Sequence, residues 1–291
     1  TMFEFIEIGE GRNKIPINLL TLNDCTNLPE KKRKLFSLIS AAAGKIEKDV
    51  SMSIKGIISD MLKNYKDLTE ISCEILCDTL KSSGKSGLMV YNLISSVLDD
   101  IQRVGCENKS WKDLFEYPNK IYVISLGDEV GDSIHSLLDI LISSVFEWQR
   151  NHNTVPLTIV IDEIKDQNFS VGSPLHTIIT QGRKFNLKLI GITQQYISND
   201  NHAIDVMKEA GIKIFFESAK SQDRIAVELG YKNSADAGFS SMQMGEFILS
   251  CDCYNKSDNI NEPVVIHCHT VKFKDTPLYK HFSEMLDGNK G

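Results

Sequence analysis

The sequence predicts an α/β fold: a mostly parallel sheet flanked by helices, with an inserted all-helical lobe and a C-terminal β-hairpin. Three observations carry that expectation. Short apolar runs stand at Ile121–Ile124, Leu157–Ile161, Leu187–Ile192 and Ile212–Phe216, with amphipathic stretches of helical period between the first three. Continuous rather than alternating apolar runs are what a parallel sheet covered on both faces requires. Residues from about 30 to 115 carry helical spacing only, whereas two strand patterns, Glu246–Leu249 and Val264–His267, follow Gly245 with no helix between them.

Each element can be read in order. Phe3 to Ile8 alternates apolar and acidic residues, the period of a half-exposed strand. Gly9 and Gly11 lead into the loop Lys14-Ile-Pro-Ile-Asn18. Leu35, Leu38, Ile39, Ala42 and Ala43 fall at helical spacing within the stretch from Glu30 to Asn64. Further helical stretches run from Asp67 to Leu80 and from Gly87 to Val104. Ser133 to Gln149 repeats the pattern through Ile134, Leu137, Leu138, Leu141, Ile142, Val145 and Phe146, and Pro174 to Gln181 closes the helical set. Residues 1–29 would then hold the first strand and loop of a core domain, 30–117 the lobe, and 118–291 the remainder of the core.

With 291 residues, 42% hydrophobic and 24% charged, the chain has the composition of a globular protein with a substantial core. Its 39 acidic and 32 basic residues leave a net charge of −7, so no whole-surface affinity for nucleic acid follows; a local basic lining would suffice for that. Seven scattered cysteines point to a reducing, cytoplasmic setting. No signal peptide is visible, and no apolar run approaches the ~18 residues that cross a bilayer.

The chemistry concentrates in Leu157-Thr-Ile-Val-Ile-Asp-Glu163, four apolar residues ending in an acidic pair, the Walker B pattern. A buried strand presents its last residues at the carboxyl edge of the sheet, where ligands collect in open α/β folds. Asp162 would hold Mg²⁺ through water, and Glu163 would orient or deprotonate the water attacking a γ-phosphate. The plainer alternative is a strand that ends in acidic cap residues. The next strand ends in Thr193-Gln194-Gln195. The Gln194 amide can donate to a phosphate oxygen and accept from water. Between these strands, Arg183 either favours a helix C-terminus or reaches a neighbouring subunit's nucleotide.

The run "PLTIVIDE…SPLHTIITQGRKFNLKLIGITQQ" resembles the HerA/FtsK branch of P-loop motor ATPases. Ile15–Asn18, Ile121–Leu126, Ile212–Phe216, Asp223–Gly230 and Met244–Ile248 resemble the flanking segments of that branch in order. The likeness covers roughly residues 3–25 and 118–270 and implies a RecA/ASCE-like core. It further implies ATP and Mg²⁺ as cofactors, double-stranded DNA as partner, and a homo-oligomeric ring in the full-length protein that translocates or unwinds DNA. The "GRKF" and "IPIN" wording resembles the DptH/DndH-type ATPase of phosphorothioation-dependent restriction, which implies an antiphage setting, other restriction-complex subunits as partners and no membrane. Two alternatives stand beside it: a non-catalytic ATPase-like module that scaffolds partners, and a secretion or conjugation motor of the same superfamily.

A Walker A loop, G-x-x-x-x-G-K-[ST], is not evident. The nearest match, Gly84-Lys85-Ser86, has Thr79 where the first glycine belongs, and a polar turn between helices explains it as well. The expectation is that the phosphate loop lies upstream and that the isolated chain hydrolyses ATP poorly. Three lesser constellations remain. Cys251, Cys253, His267 and His269 offer soft ligands for zinc at an unfavourable spacing; Cys73 and Cys77 suit a buried helix face; Lys31-Lys-Arg-Lys34 is either a solvated charge run or a phosphate contact. Ser133 and His135 bring no oxyanion signature with them.

Overall fold

A computed structural model describes residues 3–9, 12–44, 47–65, 69–115, 120–126, 134–153, 155–164, 167–193, 210–216, 222–243, 245–251 and 264–269. The chain divides into two compact units, Thr1–Ile192 and Thr193–Gly291.

The first unit opens with strand β1 (Phe3–Ile8), followed by helices α1 (Leu28–Ala43), α2 (Lys48–Asn64), α3 (Cys73–Ser82), α4 (Gly84–Val104) and the single turn α5 (Trp111–Leu114). Strand β2 (Ile121–Leu126), helix α6 (Ile134–His152), strand β3 (Leu157–Ile161), helix α7 (Pro174–Gln181), a 3₁₀ turn (Gly182–Phe185) and strand β4 (Leu187–Gly191) complete it. Both strand pairs are parallel: Phe3 lies opposite Ile121 in β1–β2, and Leu157 opposite Leu187 in β3–β4.

Local chemistry explains the helix starts. Asn27 caps α1 by accepting from the Glu30 N–H, while the Glu30 carboxylate returns to the Thr26 N–H, and Pro29 sits in the first turn. Ser72 and Ser173 cap α3 and α7 in the same way. One core joins these helices to the strands, from Ile6 and Ile8 through Leu35, Ile54, Leu76 and Ile94 to Leu137 and Ile140. The Ile15–Asn18 loop is part of it. Ile15 exchanges backbone hydrogen bonds with Gly105 and Glu107, Asn18 bonds Lys109, and Leu20 and Leu22 bond Ile71 and Thr69. That segment is therefore a buried strut between β1 and the helices.

The second unit holds strands β5 (Ile212–Phe216), β6 (Glu246–Cys251) and β7 (Val264–His269) with helix α8 (Gln222–Glu228). All three strands are antiparallel in the order β5-β6-β7, so β6 and β7 pair as expected but on β5 rather than on a parallel strand. Ile225, Leu229, Phe239 and Ile248 form its small core.

One expectation fails in part. Apolar runs predict strands covered on both faces, but burial alternates along β3 and β4, and Val160 (58%) and Ile190 (51%) stand exposed on the side that the described helices leave uncovered. The apolar composition of the runs is real. The described helices cover only the face bearing Ile6, Ile8, Ile161 and Leu187.

Candidate functional site

Strands β3 and β4 create two edges of opposite character. At the carboxyl edge β3 gives way to a turn through Asp162 and Glu163. Ile192 donates to the Ile161 carbonyl and accepts from the Ile164 N–H, both at 2.9 Å, so this turn is tied to the end of β4. Glu163 adopts φ 50°, a left-handed conformation uncommon for a residue other than glycine, asparagine or aspartate. Asp162 is exposed and its Oδ1 accepts from the Glu163 N–H at 3.0 Å, while Glu163 is half-buried. Gly191 permits the arrangement: a Cβ there would meet the Ile164 side chain at 2.6 Å. Neither the backbone strain nor the role of Gly191 has a signal in the sequence beyond the glycine itself.

Arg183 lies at the other edge. It sits in the 3₁₀ turn before β4, and the five residues of β4, roughly 15 Å of extended chain, separate it from the acidic turn. Within one chain it does not join Asp162 and Glu163. The turn that carries it is firmly held. Gln149, fully buried in α6, donates its amide hydrogens to the Val155 and Phe185 carbonyls at 2.8 Å each. The Phe185 ring packs edge-on to Phe146 at 5.7 Å, and the Arg150 guanidinium lies 5.8 Å from its centroid. The sequence marks Gln149 only as the end of a helical stretch; its amide links two strand entries that are far apart in the chain.

Gln194 lies outside the described residues, as do Ser133 and Cys253. Gly84–Ser86 forms the first turn of α4 directly after α3, so a helix precedes it rather than the strand a phosphate loop needs, and the polar-turn reading holds. The basic cluster is neither a solvated run nor a phosphate contact. Lys32 donates to Ser59, Arg33 to Glu147 and Asn151, and buried Lys34 to both oxygens of Asp24 at 2.7 and 2.9 Å, because α1 packs between α2 and α6. Cys73 is half-buried, and burial pushes its thiol up to about 11, as suits a packing cysteine. Among the described residues no three metal-ligating side chains gather. A crevice of about 470 Å³ beside α3 and the end of α4 is lined by Glu70, Glu74 and Glu107 with no Lys or Arg, which is unsuited to a nucleotide polyphosphate.

The donor set at the carboxyl edge fits a hydrated Mg²⁺. Asp162 offers an exposed, oxygen-only ligand, and such ions keep several waters and take one or two carboxylates.

Known structures agree with the fold. VirB4 of Thermoanaerobacter pseudethanolicus superposes with a TM-score of 0.57 at 12% identity, over 95% of this chain and 78% of that one. The bacterial conjugative coupling protein TrwB, in a form with sulphate, gives 0.56 at 11% identity over 92% and 66%. TrwB in complex with ADP and Mg²⁺ gives 0.51 at 12% identity over 91% and 66%. The chain is thus an α/β protein with the RecA/ASCE-like fold that these proteins share. It spans just under two thirds of the coupling protein's length. No family model matches the sequence, and no curated protein matches it. Among the described residues no helix is long and apolar enough to cross a membrane.

Proposed function

We propose that this chain carries the hydrolytic half of an ATP-driven motor acting on double-stranded DNA. The observation that carries the reading is the strained acidic turn at the carboxyl end of β3, tied to the end of β4. Asp162 would hold the water shell of Mg²⁺. Glu163, half-buried and fixed by its turn, would orient or deprotonate the attacking water, and Gln194 would contact the γ-phosphate. Bound nucleotide supplies the phosphoryl group; the residues here position water and balance charge. Arg183, too far from its own acidic pair, would act on the nucleotide of a neighbouring subunit in a ring. The phosphate-binding loop would come from polypeptide outside residues 1–291. The ADP and Mg²⁺ bound by TrwB support this reading of the fold. The antiphage restriction setting rests on Ile15–Asn18 and Gly182–Phe185 alone.

The test is Glu163→Gln in the whole protein. Removing a general base lowers turnover by about 10²- to 10⁴-fold, with nucleotide still bound. Turnover unchanged by this substitution would remove Glu163 from the chemistry and favour the scaffold alternative.

A further inference from the structure

We propose that the seam between α1 and α6 is a proton-gated latch, closed while the Asp139 carboxyl holds its proton and loosened when that proton leaves to solvent. The proposal stands apart from the motor reading, because it concerns the helix that leads into β3 and not the chemistry at the end of that strand.

The two helices run antiparallel, and a ladder of polar side chains joins them. Arg33 donates to Glu147 at 2.9 Å and to Asn151 at 2.8 Å, and the Ser37 and Ser143 hydroxyls bond each other. Residue numbers rise along α1 as they fall along α6. One turn further on, at the spacing that keeps a helix face, come Ser40 on α1 and Asp139 on α6. There the hydrogen bonding stops. The Ser40 Oγ and the Asp139 Oδ1 are both buried and have no partner among the described residues, and Asp139 is only 5% exposed. The ladder is thus satisfied at one end and unsatisfied at the other. A neutral carboxyl tolerates such a place, whereas an ionised one needs donors or water that the closed seam does not supply.

No neighbouring charge relieves that cost. On α6 itself the other titratable groups are His135, Glu147, Arg150 and His152; His135 is exposed, and Glu147 is held by Arg33 and Arg150. On α1 they are Glu30 to Lys34, at the opposite end of the helix from Ser40. On α4 they are Lys85, Tyr91, Asp99, Asp100 and Arg103, of which Asp100 and Arg103 pair with each other. Helix α7 brings His176, the 3₁₀ turn brings Arg183 and Lys184, and β2 and β3 bring none. Burial alone therefore sets the Asp139 carboxyl, which titrates near 7 in place of 3.8.

Loosening the seam admits water to Asp139 and returns it to its ordinary value. The equilibrium for opening then rises about tenfold per pH unit between roughly 4 and 7 and levels off above. What the latch holds is the helix that runs into β3 and carries Gln149, whose amide fixes the turn before β4. Acid closes the joint on which both strand entries rest, and mild alkali frees it.

Amide hydrogen exchange of the whole protein, read on peptides and corrected for the intrinsic pH dependence of exchange, tests this. Opening of α1 and α6 is expected to rise about tenfold from pH 6 to pH 8, with little further change to pH 9. Peptides of α3 and the first half of α4 should rise much less. Asp139→Asn is expected to abolish the rise, and Asp139→Leu serves as the neutral variant if the first does not fold. His135→Gln should leave the rise in place. No rise in the wild type, a rise that survives Asp139→Asn, or loss of the rise in His135→Gln would each overturn the latch. An equal rise in α3 and α4 would also overturn it, by marking global unfolding in place of a local joint.

Discussion

The two edges of β3–β4 are built on opposite physical terms. The carboxyl edge is strained and acidic: Glu163 is held at φ 50° beside an exposed Asp162. The amino edge is relaxed and basic, with its turn fixed by a buried amide, an aromatic pair and a cation over a ring. Strain of this kind persists where the surrounding structure over-determines a residue, and it clusters at working sites. The two edges thus differ in strain and in charge, and the strand pair joining them is too long for Arg183 and Glu163 to meet within one chain.

Helix α6 anchors the basic edge, and the largest expected effect concerns its own stability. Asp139 is buried in α6, its Oδ1 has no hydrogen-bond partner among the described residues, and burial raises its pKa from 3.8 to about 7. The unfolded chain ionises this group near pH 4, while the folded chain keeps the proton until about 7. Stability is therefore undiminished below the lower value, falls as pH rises between the two, and stays reduced above, by on the order of 4 kcal/mol in all. Asp139→Asn should flatten that slope, as chemical denaturation on both sides of the window will show. If the slope persists in the variant, Asp139 is not the group responsible and α6 is not held through its neutral form.

Gln149→Leu comes next. It removes two hydrogen bonds beneath the basic turn and should cost about 1–3 kcal/mol in thermal or denaturant unfolding. It should leave the Asp162–Glu163 turn, at the other edge, intact. A variant as stable as wild type would show that the aromatic packing alone fixes this edge.

Much of the fold is legible in the sequence. Apolar runs, helical spacing and capping residues are local signals, and every strand and long helix they mark is present. The acidic pair is legible because a strand end and a carboxylate pair are adjacent in the chain. What depends on residues brought together from afar is not. Lys32–Lys34 look free in sequence, but Lys32 donates to the Ser59 hydroxyl, and Glu147 and Asp24 pair with Arg33 and Lys34. The mutual distance of Arg183 and Glu163 follows only from the parallel register of β3 and β4. The apolar strands announce two covered faces, and the described helices supply one.

The separation of the two edges is best tested by ATP turnover of the whole protein assembled from mixed subunits. Glu163→Gln subunits and Arg183→Ala subunits should each be nearly inactive alone. Mixed in equal amounts they should recover turnover, because some interfaces then pair an intact Glu163 with a neighbour's intact Arg183. No recovery on mixing, or full turnover by Arg183→Ala alone, would refute the division of work between the edges.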